Sequence, residues 1–188
     1  MVLFGTKEIT TIIKQGDFYC PSCQHESTYY HQNITEYFCF FIPLIRKGVE
    51  GSILCCDNCD TIYIPAHLRE DGTVIKDKYL TPFQELLHYG FALFLLISAM
   101  PKKRANYLND NYFDGHGFNI NIEYVFGLSS FVQQHYQDVL MYLKKSLPQS
   151  NKEERDIFAK MMFSIGFQDG NLSREETRVA TILSKVLK

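Results

Sequence analysis

The chain has 188 residues, of which 46% are hydrophobic and 14% are aromatic. This apolar content is enough for the cores of one or two compact domains, and it excludes a chain that is disordered throughout. The 19 basic and 21 acidic residues give a net charge of -2, so we expect no general attraction to nucleic-acid phosphates. Six cysteines are too few for a disulfide scaffold and indicate a metal site.

The sequence predicts neither a membrane span nor a secretory signal. The two most apolar segments, residues 37–45 and 86–100, are shorter than the roughly 18 to 20 residues that cross a hydrocarbon core. The first residues lack the basic and apolar regions of a signal peptide. We therefore expect a cytoplasmic protein, and in that compartment paired cysteines more often bind metal than form disulfides.

The composition changes along the chain and predicts an α+β protein of two domains. Residues 18–65 are rich in Tyr, Phe, Ile and Thr in short runs, which is typical of strands. Residues 67–81 are charged and contain the turn signal Asp71-Gly72. From residue 82 to residue 188 the apolar residues repeat with helical spacing. We expect a β domain over 1–66, a connector over 67–81 and an all-α bundle over 82–188.

Strand and helix signals follow in chain order. The predicted strands of the β domain cover residues 27–34, 37–42, 52–55 and 61–64. In the helical domain, three pairs of residues have the spacing of capping boxes: Thr81 with Gln84, Ser150 with Glu153, and Ser173 with Glu176. Further helices are predicted over 101–108, 122–127 and 131–147, and Pro148 ends the last of these.

Two C-x-x-C pairs are the strongest chemical signal, CPSC at residues 20–23 and CDNC at 56–59. Each pair suits a tight turn, or knuckle, that holds two thiolates about 2.3 Å from one ion, and two pairs complete a tetrahedron. We predict a structural Zn²⁺, because four thiolates leave no open position for catalysis. The predicted ligands are Cys20, Cys23, Cys56 and Cys59. Two disulfides, or unrelated thiols, are the alternatives.

Two further cysteines lie outside these pairs. Cys55 adjoins the second pair and could replace Cys56 as a ligand, although strand alternation would turn it away. Cys39 lies within an apolar run and is typical of a small buried hydrophobe.

An acidic loop of sequence DGNLSREE begins at Asp169 and resembles the first half of a calcium-binding loop. Asp169, Asn171 and Ser173 stand at alternate positions, but Ala180 occupies the twelfth position, where an EF-hand has a bidentate Glu. One interpretation is a plain interhelical loop in which Ser173 and Glu176 form a capping box. The other is a weak Ca²⁺ or Mg²⁺ site, or a partner contact, that uses these two residues with Asp169 and Asn171.

Four motifs lie in order in the first half of the chain: FGTK at 4–7, GDFYCPSC at 16–23, FFIPLI at 40–45 and CDNC at 56–59. Over about residues 3–65 they resemble a family of bacterial zinc-ribbon proteins of poorly defined function. The resemblance implies that Cys20, Cys23, Cys56 and Cys59 bind zinc.

The second half carries FSIGFQDGNLS at residues 163–173, followed by Glu176. Over residues 82–188 the chain is similar to the TerB-like helical domain of tellurite-resistance and stress-response systems. Each helical half of that family carries an acidic loop for which metal binding is suggested. Asp169 and Glu176 match this pattern, whereas the first half of the domain shows only Asp114-Gly115.

The sequence favours a non-enzymatic protein, since it contains no phosphate-binding loop, nucleophile elbow or ordered Ser/His/Asp set. We expect a zinc-stabilised interaction or adaptor protein with a protein partner, and the resemblance implies a role in bacterial stress response or defence. One alternative is a nucleic-acid-binding accessory protein, which the four basic and seven acidic residues of 1–66 disfavour. The other is a divalent-metal-binding helical domain with a regulatory role.

Overall fold

A computed structural model describes residues 5–39, 45–74, 80–98, 122–167 and 172–187. The architecture is α+β, as the sequence predicts: a four-stranded antiparallel sheet comes first, and five helices follow within these residues. The chain divides into two compact units. The first is Met1–Asp77 with Leu140–Tyr142, and the second is Lys78–Val139 with Leu143–Lys188.

The sheet is an antiparallel meander whose strands pair in chain order. Its strands are β1 (Gly5–Tyr19), β2 (Glu26–Cys39), β3 (Ile45–Cys56) and β4 (Ile62–Tyr63). The register places Tyr19 opposite Glu26 and Leu54 opposite Tyr63, so a short turn joins β1 to β2 and another joins β3 to β4. Because alternate strands of a meander end on the same side, both C-x-x-C pairs lie at one end of the sheet.

Strand β1 was not predicted from the sequence, and β2 was predicted as two separate strands. The first strand has 15 residues, and its Thr and Ile content is typical of a strand. Its charged residues interrupt the alternation of apolar and polar positions that would have marked it. In β2 the pairing with β3 continues through Thr35 and Glu36, with shifts of register on either side of Thr35. Residues 40–42 of the predicted second strand lie outside the described residues.

The core of the first unit lies at the cysteine end of the sheet. Phe18 is central, with the Tyr29 ring 5.9 Å away and the Tyr63 ring 6.0 Å away, both in edge-on geometry. Leu54 completes the buried cluster, which also includes two cysteine side chains. Aromatic pairs in this arrangement add about 0.5 to 1.5 kcal/mol each beyond their buried area. The cysteines are therefore part of a buried hydrophobic cluster of the first unit.

Part of the predicted connector packs on this core. Gly72 has a φ of 80°, which an L residue rarely adopts, and Asp71 closes the turn by accepting a hydrogen bond from the Thr73 N–H at 2.9 Å. The turn returns the chain so that Leu68 pairs with Val74 in an antiparallel bridge. Both side chains then lie against the aromatic and cysteine cluster. The turn at Asp71 and Gly72 thus brings Leu68 and Val74 onto the core of the sheet.

Five α-helices lie in the described residues between 82 and 184. They are α1 (Pro82–Ile97), α2 (Ile122–Gln134), α3 (Tyr136–Ser146), α4 (Lys152–Phe167) and α5 (Arg174–Ser184). The capping boxes of Thr81 with Gln84 and of Ser173 with Glu176 are confirmed, with both reciprocal hydrogen bonds present in each. The predicted helix over 101–108 and the loop at Asp114 lie outside the described residues.

The predicted box of Ser150 with Glu153 is wrong by one residue. Asn151 is the capping side chain: its Oδ1 accepts from the Glu154 N–H at 2.9 Å, and the Glu154 carboxylate accepts from the Asn151 N–H at 3.1 Å. The shift occurs because Leu147–Gln149 forms a 3-10 turn, and the Ser150 N–H donates to Leu147 O at its end. Ser150 therefore belongs to the preceding turn.

The predicted helices over 122–127 and 131–147 divide differently in the structure. The first extends to Gln134 as α2, and α3 begins only at Tyr136. Between them His135 has φ -116° and ψ 31°, which is outside the helical region. The helical spacing of apolar residues continues through His135, so the pattern does not indicate that the helix is interrupted there.

Helix α1 is buried on almost all sides and packs against α4 through a glycine. A Cβ atom at Gly90 would lie 2.6 Å from Cε2 of Phe158, a distance that real Cβ contacts essentially never show. Phe158 is fully buried, so its ring has no open space to move into. Gly90 is therefore the residue that permits the close approach of the two helices.

We predict that Gly90→Ala destabilises the helical unit. Alanine improves helix propensity by about 0.8 to 1 kcal/mol, but overpacking against Phe158 costs about 1 to 3 kcal/mol, so the net effect is unfavourable. The matched control is Gly127→Ala in α2, where a Cβ meets nothing within 4 Å and the propensity gain stands alone. Urea unfolding followed by circular dichroism compares the two variants. Equal or greater stability of Gly90→Ala would contradict the packing argument.

Candidate metal centre

The two C-x-x-C pairs form equivalent backbone turns. In each turn, the carbonyl of the first cysteine accepts a hydrogen bond from the backbone N–H four residues later. Gln24 donates to Cys20 at 2.8 Å, and Asp60 donates to Cys56 at 3.1 Å. The N–H of the first cysteine donates in turn to the carbonyl five residues on, at 3.0 Å in both. Gln24 and Asp60 both have left-handed φ angles, 57° and 54°. The turns are therefore two copies of one knuckle.

The knuckles bring four sulfur atoms together, all within 4.8 Å of one another. The Sγ atoms of Cys20 and Cys59 are 3.7 Å apart, and those of Cys23 and Cys56 are 3.9 Å apart. A tetrahedral ion with metal–sulfur bonds of about 2.3 Å requires sulfur–sulfur distances of about 3.8 Å. A disulfide would require about 2.05 Å, and these cysteines form none. The cluster could hold one metal ion.

Burial differs within each pair. Cys20 and Cys56 are fully buried, because each directly follows or ends a strand that packs in the aromatic core. Cys23 and Cys59, at the outer side of the knuckles, are partly exposed. The site therefore has an inner pair of sulfurs in the core and an outer pair at the surface.

Three of the sulfurs have a hydroxyl group beside them. The contacts are Tyr63 to Cys20 at 3.1 Å, Ser27 to Cys56 at 3.0 Å and Thr61 to Cys59 at 3.1 Å. A metal-bound thiolate only accepts hydrogen bonds, so a hydroxyl beside it can act only as the donor. Two of these hydroxyls also have an oxygen acceptor: Ser27 donates to Asp57, and Tyr63 donates to Ser22 Oγ at 3.0 Å. Such outer contacts orient ligands and reduce the charge left on them. No local pattern in the sequence indicates these hydroxyls, since they come from three different segments.

Cys23 has a different environment. A hydrogen bond from the Asn58 side chain, assisted by the His25 backbone, lowers the pKa of Cys23 to about 6. Burial raises the pKa of Cys59 to about 12. Metal binding at neutral pH therefore displaces a proton from Cys59 more than from Cys23. The His25 ring contacts the Cys23 carbonyl oxygen through Nδ1, and His25 is not part of the four-sulfur cluster.

A carboxylate fixes the second knuckle to β2. Asp57 accepts a hydrogen bond from the Thr28 N–H at 3.0 Å and another from the Ser27 hydroxyl. The Asp57 N–H donates to the Thr28 carbonyl at 3.2 Å. These bonds link the turn after β3 to the start of β2, and they help to hold the two knuckles opposite each other.

Cys55 lies outside the four-sulfur cluster. Its Sγ is near two backbone carbonyls, Cys56 O at 3.8 Å and Asp60 O at 3.9 Å, and burial raises its pKa. This position agrees with the expectation that strand alternation turns it away from the ligands. The side chain of Cys39 is outside the described part of the chain.

The second predicted site is described only in part. Asp169 and Asn171 lie outside the described residues. The Ser173 hydroxyl accepts from the Glu176 N–H at 3.1 Å, and the Glu176 carboxylate accepts from the Ser173 N–H at 2.8 Å. Glu176 is only 1% exposed. Both side chains therefore serve the cap of α5, and a cation at this loop stays a prediction.

Comparisons with known proteins give no match: no family model, no curated protein and no solved structure aligns with the chain. Within the described ranges, no helix combines the length and the apolar character that a membrane span requires.

We predict that Cys56→Ser abolishes metal binding, because three thiolates hold an ion far less well than four. The neighbouring substitution Cys55→Ser makes the same chemical change outside the cluster, so this variant should keep one metal ion per chain, as should the unmodified protein. Elemental analysis of the purified proteins measures the content. A metal-bound Cys56→Ser variant would contradict the proposed ligand set, and metal loss from Cys55→Ser would show that the adjacent thiol participates.

We also predict that Tyr63→Phe weakens the affinity for added Zn²⁺ by about tenfold or more, since it removes the hydroxyl beside Cys20. Tyr29→Phe is the matched control: Tyr29 and Tyr63 are 5% and 4% exposed, and both rings pack edge-on against Phe18. Competition with a chromogenic chelator measures both affinities. Equal affinities would mean that the Tyr63 hydroxyl does not act on the sulfur.

Proposed function

We propose that this protein is a non-enzymatic interaction protein whose N-terminal sheet is stabilised by structural Zn²⁺. The observation that carries the proposal is the cluster of four sulfurs within 4.8 Å, contributed by two equivalent knuckles. Four thiolates in tetrahedral arrangement favour Zn²⁺ over the harder cations that prefer oxygen. The proposed ligands are Cys20, Cys23, Cys56 and Cys59.

Zinc would supply most of the stability of the cysteine end of the sheet. The cluster around Phe18 contains few buried side chains, and a small domain alone has only a narrow margin of stability. Structural zinc sites contribute about 10 to 16 kcal/mol of apparent binding free energy, which is as large as the whole folding margin of about 5 to 15 kcal/mol of a typical domain. In this proposal the ion keeps the knuckles and their surface in one fixed conformation.

Binding is favoured over catalysis because the proposed coordination is closed. Four protein sulfurs leave no position for a water or a substrate, as catalytic zinc sites have. Of the residues that the structure describes, only these cysteines form a group of three or more metal-binding side chains. In the helical unit an apolar cavity beside Phe94 and Leu183 has a volume of about 20 Å³, which has room for about one water molecule.

Charge supports a protein partner over nucleic acid. Residues 1–66 carry four basic and seven acidic side chains. A Zn²⁺ ion with four thiolates would add a further net charge of about -2 to the same unit. Proteins that bind duplexes commonly place about 6 to 10 cationic groups on phosphates, which this unit does not supply.

For the helical unit we propose a TerB-like fold and, with it, a role in bacterial stress response or defence. The proposal is supported by the similarity of residues 163–173 and Glu176 to that family's motif, and by the capping box at the start of α5. Cation binding at the loop that begins at Asp169 is part of the same proposal. Calorimetric titration of the full chain with Ca²⁺ or Mg²⁺ tests it.

The proposed function predicts a protein partner that depends on the metal-bound sheet. We expect a co-purifying protein, confirmed as a direct partner with purified components, to bind the unmodified chain and Cys55→Ser but not Cys56→Ser. In the same preparation, a fluorescent single-stranded oligonucleotide should show no change in anisotropy at low salt. Salt-dependent binding of that oligonucleotide would favour the nucleic-acid alternative. Equal partner binding by Cys56→Ser would exclude a role of the metal centre in the interaction.

A further inference from the structure

We propose that an acidic cleft at the cysteine end of the sheet binds an arginine side chain of the protein partner. The inference rests on the proposed function and deepens it, since it names the chemistry by which the partner contacts the metal-bound sheet. The cleft has a volume of about 680 Å³, which lies in the range of ligand-binding clefts. All of its lining residues belong to the first unit.

The lining of the cleft carries charge of one sign. Three of the lining residues are carboxylates, Asp17, Glu26 and Asp57, and none of them is a lysine or an arginine. All three carboxylate side chains are exposed. A cleft lined by one sign of charge concentrates ligands of the opposite sign, so the complementary occupant is a cation.

Negative charge is concentrated at this whole end of the sheet. Residues 15–29 and 51–74 form the cysteine end and the turn that packs on it. They contain six of the chain's 21 acidic residues but only one of its 19 basic residues, Arg69. All six acidic residues are exposed. Zn²⁺ with four thiolates would add a net charge of about -2 at the same end, so a basic partner is attracted here although the whole chain is nearly neutral.

Thr28 holds two of the cleft's carboxylates in place. The Thr28 N–H donates to Asp57 Oδ1 at 3.0 Å, and the Thr28 hydroxyl donates to Asp17 Oδ1 at 3.3 Å. The Ser27 hydroxyl also donates to Oδ1 of Asp57. Among the described residues, no hydrogen bond or ion pair reaches the Oδ2 atom of either carboxylate. Two oriented carboxylates therefore each keep an oxygen for a ligand.

This arrangement suits a guanidinium better than a lysine ammonium or a metal ion. A guanidinium presents several N–H donors in a planar fork and can bind two carboxylate oxygens at once, whereas an ammonium is a point charge. Of the residues that the structure describes, only the four cysteines bring three or more metal-binding atoms within 4.8 Å of one another. The cleft's carboxylates therefore do not form a comparable metal site.

Tyr19 and Glu26 extend the acidic surface along one face of the sheet. The register pairs Tyr19 with Glu26 and Asp17 with Thr28, and side chains two residues apart on a strand share a face. The Tyr19 side chain is 52% exposed. An exposed aromatic ring offers a guanidinium a flat surface for a cation–π contact. We therefore expect an extended partner segment that carries more than one arginine.

The test uses the full, zinc-loaded chain and three short fluorescein-labelled peptides. The peptides share a glycine and serine sequence and differ in a set of arginines, lysines or citrullines at the same positions. Citrulline has nearly the shape of arginine and lacks its charge. Fluorescence anisotropy at low and at physiological salt measures the affinities. We expect the arginine peptide to bind most tightly, the lysine peptide about threefold or more weakly, and the citrulline peptide not to bind.

Two variants remove cleft carboxylates that do not hold a knuckle. Asp17→Asn and Glu26→Gln should each weaken binding of the arginine peptide about three- to tenfold, the range for a partly exposed charged hydrogen bond. Glu70→Gln is the matched control, because it makes the same change of charge at an exposed position of this end but outside the cleft. This variant should leave the affinity unchanged. Elemental analysis verifies that each variant carries zinc.

The outcomes separate this inference from the function on which it rests. A purified chain without zinc, or equal partner binding by Cys56→Ser, would overturn the proposed function. Zinc-dependent partner binding that Asp17→Asn and Glu26→Gln leave unchanged would overturn only the arginine cleft. An equal loss of peptide binding in Glu70→Gln would also overturn it, since binding would then be general charge attraction. An arginine peptide that binds no more tightly than the lysine or citrulline peptide would do the same.

Discussion

The first unit depends on the convergence of two cysteine knuckles at one end of an antiparallel sheet. The meander order makes this possible, since the turns that follow β1 and β3 lie on the same side. Four sulfurs at tetrahedral spacing are held there by strand pairing and by hydrogen bonds of the Asp57 carboxylate. The four ligand atoms lie within 4.8 Å of one another, so this arrangement could hold a single metal ion.

The core and the metal centre form one structure. Phe18 packs against Tyr29 and Tyr63, and the hydroxyl of Tyr63 reaches a ligand sulfur. The same side chain therefore contributes to apolar packing and to the charge balance of the thiolates. Burial, together with the contact to Cys20, raises the pKa of Tyr63, so the phenol keeps its proton and remains a donor.

Features that depend on residues close together in the sequence were predicted better than features that depend on residues far apart. Cysteine spacing predicted which four thiols meet, and the capping boxes at Thr81 and Ser173 were found because all their atoms lie within four residues. The strand register and the hydroxyl contacts involve partners tens of residues apart, which no local pattern records. Gly90 is similar, because its role depends on Phe158 in another helix. The helix cap lies at Asn151 and not at the predicted Ser150, because Ser150 belongs to the preceding 3-10 turn. A local signal can therefore be displaced by one residue.

The left-handed backbone at Gln24 and Asp60 has a consequence for sequence variation. Non-glycine residues pay about 1 to 2 kcal/mol for this conformation, and glycine would be the natural occupant of both turns. The chain nevertheless places side chains there, so the conformation is imposed by the hydrogen bonds of the two knuckles and not by local preference. Both side chains are exposed, so a change of polarity or charge at either position leaves the buried cluster untouched. Evolution could adjust the electrostatic character of this end of the molecule without disturbing the thiolates beneath it.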